Sequence, residues 1–403
     1  MDELTSLGLI LLLALLAGHL VKVVKVPEVT GYIMAGIALG PSVLGWVSAE
    51  NLLALEVLSE VTLGLILFSV GSVFEFSRFR RIGRQVLYLT LAESALASVL
   101  VMVGVLVLGQ PWQVALLLGA VAIATAPAST LMVIRECNSA GPLTDNMLGI
   151  IAVNNLICIT AYALVAAAID LASGLGGTSL FDAVYRAGYP LVWQLVGSAA
   201  LGYLVGLMLA GWSSRVSETG EMLILLAGSI LLCVGVARLV DLSPLVASLA
   251  VGATMVNLAA RSRSLFTTLA GTDPPFYAIF FVIAGADLDL SLVPAMGVIG
   301  LVYVGGRSVG KFVGAIAGAR WLRLDRSVQR YLGFGLMAQA GLAVGLTIAI
   351  DQRFEMFAPI VSTVVLASVV IFEMVGPISA RFALVQSGEA GMQAPIPGPS
   401  LGA

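Results

Sequence analysis

Four charged residues stand inside long apolar runs of this 403-residue chain: Glu93, Arg307, Lys311 and Glu373. A charge within hydrocarbon is costly, so such residues mark ion pathways, proton relays or paired clusters. Arg307 and Lys311 are four apart and share one helix face. Two like charges there require acidic or polar partners, and Glu93 and Glu373 are the candidates. Asn154 and Asn155 are adjacent amides in a further apolar run. Their oxygens can ligate a cation and their nitrogens can donate, but neither exchanges a proton near neutral pH. In Thr125-Ala126-Pro127-Ala128-Ser129-Thr130, Pro127 removes a backbone donor and the hydroxyls of Thr125 and Ser129 lie close by. Opened carbonyls and hydroxyls are what a small dehydrated cation takes as ligands. Gln339, followed by Gly341 and Gly345, marks a second candidate break without a proline.

Other chemistries fare worse. His19 is the sole histidine, which excludes a histidine-based metal site or catalytic triad. Of the unevenly spaced Cys137, Cys158 and Cys233, two lie in apolar runs and read as small buried hydrophobes rather than disulfides or metal ligands. No cofactor and no resident metal are expected. Beyond Arg78, Arg80, Arg81 and Arg84 there is no basic run, so nucleic acid is not an expected partner.

The elements that must position these residues are membrane helices. The chain is 59% hydrophobic and 11% charged, with a mean hydropathy of +1.05. A soluble domain has about 25% charged residues. Too few charges remain here to cover a water-facing surface, so the expected solvent is the lipid bilayer. Windows of about 20 apolar residues give about thirteen transmembrane helices, an all-α polytopic architecture. The first is read as a retained span. The fifth runs over 112–134, the sixth over 147–169 and the twelfth over 328–350; the tenth, 276–286, is short for a crossing. From 385 to 403 the composition predicts a disordered tail. With the N-terminus outside, the outer loops hold only Arg186, Arg238 and Arg353 among the basic residues. Apart from Arg307 and Lys311, the rest fall in inner loops, which places the C-terminus inside.

An internal repeat underlies the arrangement. Pro27 with Gly31 matches Pro244 with Ser248 at an offset of 217, and Gly36 matches Gly252 at 216. Leu67–Gly71 with Glu75 matches Phe281–Gly285 with Asp289 at 214, and Ala126–Ala128 matches Ala338–Ala340 at 212. The offset spans seven helices, an odd number, so the copies are inverted. Inverted repeats whose two broken helices cross at the midplane are the architecture of secondary transporters. Glu93 and Arg307 fall on the same offset, 214, and are expected to form an ion pair near the axis.

Several motifs together resemble a known family. They are Val26-Pro27-Glu28-Val29-Thr30-Gly31-Tyr32 with Gly40-Pro41, and Ala124-Thr125-Ala126-Pro127 with Gly141-Pro142-Leu143-Thr144-Asp145. To these add Tyr303 through Gly314, Met337-Ala338-Gln339-Ala340-Gly341 and Phe372-Glu373-Met374-Val375-Gly376-Pro377. Over residues 5–384 the chain resembles bacterial cation:proton antiporters of the monovalent cation:proton antiporter-2 type. The resemblance implies a sodium/proton-exchanger fold over residues 1–384. It also implies a core bundle (86–171 and 292–384) that moves, elevator-like, against a dimerisation scaffold (5–74 and 192–286). It further implies a homodimer in the bacterial cytoplasmic membrane and exchange of Na+ or K+ for H+, a transporter and not an enzyme. Two positions depart from the pattern. The family usually carries Asp-Asp or Asn-Asp where this chain has Asn154-Asn155, and many relatives carry proline at Ala338. The missing carboxylate is the one that alternately binds cation and proton. Two readings therefore stand: antiport with another acid, Glu93 or Glu373, as the coupling group, or a carrier of a cation or small solute without proton coupling. Thr125, Pro127, Ser129, Asn154, Asn155, Lys311 and Gln339 are the expected substrate site.

Overall fold

The computed structural model describes residues 3–71, 74–172, 189, 192–216, 218–259 and 262–392, and the described secondary structure is helical throughout. In chain order the helices are α1 (Glu3–Val23), α2 (Glu28–Leu39), α3 (Ala49–Gly71), α4 (Phe76–Val107), α5 (Trp112–Val121), α6 (Pro127–Glu136) and α7 (Pro142–Ala172). A π-helical turn, Trp193–Gly197, leads into α8 (Ser198–Ser213), followed by α9 (Thr219–Leu239), α10 (Pro244–Leu258) and α11 (Ser262–Ala286). The single turn α12 (Leu292–Ala295) precedes α13 (Gly297–Trp321), α14 (Arg326–Gly335), α15 (Gly341–Arg353) and α16 (Ala358–Gln386).

Seven helices among the described residues are long and apolar enough to cross a bilayer, and shorter apolar helices stand among them. Large apolar side chains such as Leu12, Leu16, Leu204, Trp212, Leu232 and Leu301 are exposed. Contiguous apolar exposure on this scale suits lipid, not water. Counting α5 with α6, and α14 with α15, as one broken crossing each is compatible with the thirteen expected. The tenth span is longer than the sequence indicated. Read as 276–286, it is the second half of α11, whose helix runs through Pro274 and Pro275. Prolines interrupt the hydropathy reading but are tolerated in membrane helices, where neighbours satisfy the freed carbonyls.

The chain's end departs from expectation as well. Helix α16 continues to Gln386, and residues 387–392 fold back onto the start of α7; the rest of the expected tail lies outside the described residues. The Glu389 carboxylate accepts the N–H groups of Leu143 and Thr144 at 2.7 and 2.8 Å and the Thr144 hydroxyl at 2.7 Å. It caps the orphan donors and positive end of α7. Composition hid this, because one acidic residue in a Gly- and Ala-rich stretch has no periodicity.

The repeat is visible as paired contacts. A Cβ on Gly36 would lie 2.1 Å from the Val282 carbonyl, and one on Gly285 would lie 2.3 Å from that of Ile33, so α2 and α11 touch backbone to backbone. A Cβ on Gly252 would lie 2.0 Å from the Phe68 carbonyl, and one on Gly71 2.4 Å from that of Leu249, giving α10 and α3 the same contact. The repeat maps one pair onto the other. Helices α4 and α13 pack antiparallel along their length: Gly310 rests on Ala97 and Gly314 on Glu93. Contacts are denser within α4–α7 and α13–α16 and within α1–α3 and α8–α11, while α2 and α3 also touch α6 and α2 touches α16.

Overpacking a contact of this kind costs about 1–3 kcal/mol or more. Gly252→Val should therefore lower the melting temperature in detergent sharply. Gly235→Ala, where an added Cβ meets nothing within 4 Å, should leave it within measurement error.

Candidate functional site

Helix α5 ends at Val121 and α6 begins at Pro127, with Ala126 extended at φ −75° and ψ 122°. Proline at the first position suits a helix start, where its missing N–H would have had no partner. Helices α14 and α15 are separated by residues 336–340 in the same way. The two breaks meet: the Ala126 N–H donates to the Ala338 carbonyl at 3.0 Å. Each break frees carbonyls at the C-terminal, negative end of a half-helix.

Arg307, fully buried, answers those carbonyls. Nη1 donates to Met337 O at 2.8 Å, and Nη2 donates to Ala124 O at 2.7 Å and Ala338 O at 3.2 Å. Its guanidinium lies 4.2 Å from the centre of the Phe372 ring, a cation–π contact. One planar fork thereby clamps both breaks. Gln339 adds a second tie, its Nε2 donating to Val121 O at 3.0 Å and to the Tyr303 hydroxyl at 2.9 Å.

Lys311, one turn along α13, is also fully buried. Its ammonium donates to Glu93 Oε2 at 2.7 Å, Ile123 O at 2.8 Å and the Thr125 hydroxyl at 2.9 Å. The other oxygen of Glu93 accepts from Asn154 Nδ2 at 2.6 Å and from the Ser94 hydroxyl at 3.0 Å. A carboxylate on α4, an ammonium on α13, an amide on α7 and the open end of α5 thus converge in a space closed to solvent.

The expected Glu93–Arg307 ion pair is not what forms. Glu93 pairs with Lys311, and Arg307 donates through Nη1 and Nη2 to backbone carbonyls while its Nε has no hydrogen-bond partner. Register explains the difference. The repeat makes Glu93 and Arg307 images of each other, not neighbours. In the antiparallel α4–α13 packing Glu93 lies level with Gly314, while Gly306, beside Arg307, lies level with Leu100 and Val101. That separation is roughly two turns, about 10 Å.

Of the remaining expected residues, Ser129 is buried with its hydroxyl unpartnered, and the side-chain oxygens Asn154 Oδ1, Asn155 Oδ1 and Glu373 Oε1 are likewise buried without hydrogen bonds. No described hydrogen bond links Ser129, Asn155 or Glu373 to the Glu93–Lys311 cluster. Pro127 acts by starting α6 rather than by touching a charged group. Sequence reasoning passed over Ser94, whose signal was a hydroxyl beside an intramembrane acid, and Tyr303, four residues before Arg307 on the same face.

Leaving the Lys311 ammonium unpaired in this environment costs about 3–5 kcal/mol. Glu93→Gln and Lys311→Met should each lower the melting temperature, and the double variant should recover most of the loss. Additive losses in this cycle would mean that the pair is not coupled.

Comparison with known proteins agrees with this architecture. The chain is 25% identical to the ammonium/H(+) antiporter subunit AmhT of Alkalihalophilus pseudofirmus, over 92% of its own length and 91% of that protein. It is 26% identical to KefB of Alkalimonas amylolytica over 86% of its own length, and spans 51% of that longer protein. Its fold matches the sodium proton antiporter MjNhaP1 of Methanocaldococcus jannaschii with a TM-score of 0.73 and 17% identity, covering 98% and 97% of the two chains. Residues 8–383 match the family described as sodium/hydrogen exchanger, transmembrane, and this multi-pass membrane protein belongs to that family of transporters.

Proposed function

We propose that this cation/proton antiporter exchanges a monovalent cation, Na+ or K+, for H+, with Glu93 and Lys311 as the coupling pair. The observation that carries the reading is the buried Lys311–Glu93 contact at the crossing of the two broken helices. Exchange needs a group that holds either a proton or a cation, never both. Asn154 and Asn155 cannot supply one. Lys311 and Glu93 can: the ammonium and an entering cation compete for the same carboxylate. As the cation arrives, an Nζ–H bond of Lys311 breaks, its electron pair stays on nitrogen and the proton leaves to water. A returning proton restores the ammonium and expels the cation. Arg307 and Cys158 are the other titratable groups near Lys311. The first holds the breaks and the second donates to a backbone carbonyl. The site carries the same net charge in both loaded forms, so one cation exchanges for one proton.

Helices α4–α7 and α13–α16 would form the moving core, and α1–α3 with α8–α11 the scaffold through which two copies dimerise. The protein would lie in the bacterial cytoplasmic membrane with its N-terminus outside and C-terminus inside, following the loop charges. Monovalent cations also fit the name of AmhT, an ammonium/H(+) antiporter subunit. The amide pair taken alone favours a proton-uncoupled carrier. Glu93, a carboxylate on α4 standing beside Asn154, weighs against it.

Reconstitution in proteoliposomes with a lumenal pH dye tests the reading. A K+ or Na+ gradient should drive a lumenal pH change that is insensitive to an imposed membrane potential. Lys311→Gln, if folded, should reduce that change to the level of empty liposomes. Downhill cation flux with no pH change would instead identify an uncoupled carrier.

A further inference from the structure

The acceptors around Lys311 form a cage whose size can be read from its present occupant. The occupant is an –NH3+ group. Three oxygens of different chemistry surround it: a carboxylate oxygen of Glu93 at 2.7 Å, the Ile123 carbonyl at 2.8 Å and the Thr125 hydroxyl at 2.9 Å. These are ammonium distances. They are also the distances at which K+ and Rb+, nearly the size of ammonium, sit among oxygen ligands. Na+ is close to Ca2+ in radius and draws oxygens to about 2.3–2.6 Å. To hold Na+ equally well, all three acceptors would have to close in by a few tenths of an ångström.

The cage is held against such closure. The Ala124 carbonyl, between Ile123 and Thr125, is fixed by Arg307 Nη2 at 2.7 Å, and the Ala126 N–H by the Ala338 carbonyl at 3.0 Å. Arg307 is itself fixed by the Met337 carbonyl at 2.8 Å. On the opposite side, the second oxygen of Glu93 is held by Asn154 and Ser94 at 2.6 and 3.0 Å. Glu93 is therefore tied down directly, and Ile123 and Thr125 through the flanking Ala124 and Ala126, by neighbours that do not touch the ammonium. Pinned ligands discriminate by size, because they cannot follow a smaller ion inward.

We infer that the cage vacated by the Lys311 ammonium selects cations of ammonium size, K+, Rb+ and NH4+, over Na+ and Li+. Asn154, Ser94 and Arg307 set that selectivity by position, without touching the ion. The inference rests on the coupling-pair reading above. It adds the substrate class that this reading leaves between Na+ and K+.

The test compares cations in one preparation. Wild-type proteoliposomes receive equal gradients of Rb+, K+, Na+ or Li+ chloride, and the initial lumenal pH change is recorded. Ammonium is assayed by its competition with radiolabelled Rb+ uptake, since NH3 itself crosses lipid. The expected result is a kcat/KM for K+ and Rb+ at least about tenfold above that for Na+ and Li+, with NH4+ competing where Na+ does not. Thr125→Ser, which keeps the hydroxyl, should retain the preference. Thr125→Val, which removes one acceptor, should lower kcat/KM for K+ by about tenfold and narrow the gap to Na+. Exchange that favours Na+ or Li+, or a preference untouched in a folded Thr125→Val protein, overturns the size-selective cage and leaves the coupling pair standing. No exchange with any cation by folded protein overturns the coupling pair, and the cage with it.

Discussion

Two positive charges one turn apart on a buried helix form the constraint on which the rest of this structure depends. Arg307 and Lys311 repel each other by about 3 kcal/mol at roughly 6 Å and an effective dielectric constant near 20. Each would pay several kcal/mol more if left without partners in the membrane interior. A single carboxylate cannot answer both. The fold supplies the remainder by breaking two helices and turning their negative ends toward α13. Arg307 takes carbonyls from both breaks, and Lys311 takes one carbonyl, one hydroxyl and the acid. The breaks, costly alone because they leave carbonyls without helical partners, are thereby satisfied by the charges. Neither feature is tenable in hydrocarbon without the other.

That mutual dependence needs close helix packing, and the glycines provide it. Helix α13 lies against α4 through Gly310 and Gly314. With a side chain at Gly314, the two backbones would separate near Glu93, the point where the carboxylate must reach across to Lys311. The Gly36–Gly285 and Gly71–Gly252 contacts repeat the device where α2 meets α11 and α3 meets α10, with no buried charge between those helices among the described residues. The same glycine packing thus recurs at three interfaces, and the buried Lys311–Glu93 pair stands at the α4–α13 one.

Much of this could be read from the sequence. Hydropathy and charge gave the membrane class; Pro127 gave the first break; the three offsets gave the inverted repeat and, through it, the second break near Gln339. Partner choice could not be read. Whether Glu93 meets Arg307 or Lys311 depends on the register of α4 against α13, and an offset between repeats carries no information about register. The first half of α11 escaped because two adjacent prolines ordinarily end a helix. The docking of Glu389 escaped because its three donors lie some 245 residues earlier in the chain. Local pattern identifies what a residue can do; distant packing decides with which neighbour it does it.

The amides at 154 and 155 look at first like the loss of the group that makes exchange possible. The surroundings of Asn154 show what an amide supplies there. Asn154 donates through Nδ2 to Glu93, and an aspartate in its place would present a second negative oxygen to that carboxylate, with no hydrogen to offer it. Two ionised carboxylates at such range cannot both remain charged without further cations. With the acid on α4, the neighbouring position on α7 is therefore better filled by a donor, and asparagine keeps the aspartate shape while reversing the sign of one contact. It fixes the rotamer of Glu93 and leaves the other oxygen directed at Lys311. In this structure the acid stands on α4 and its orienting donor on α7, and the ammonium on α13 and the open helix end on α5 complete the cluster.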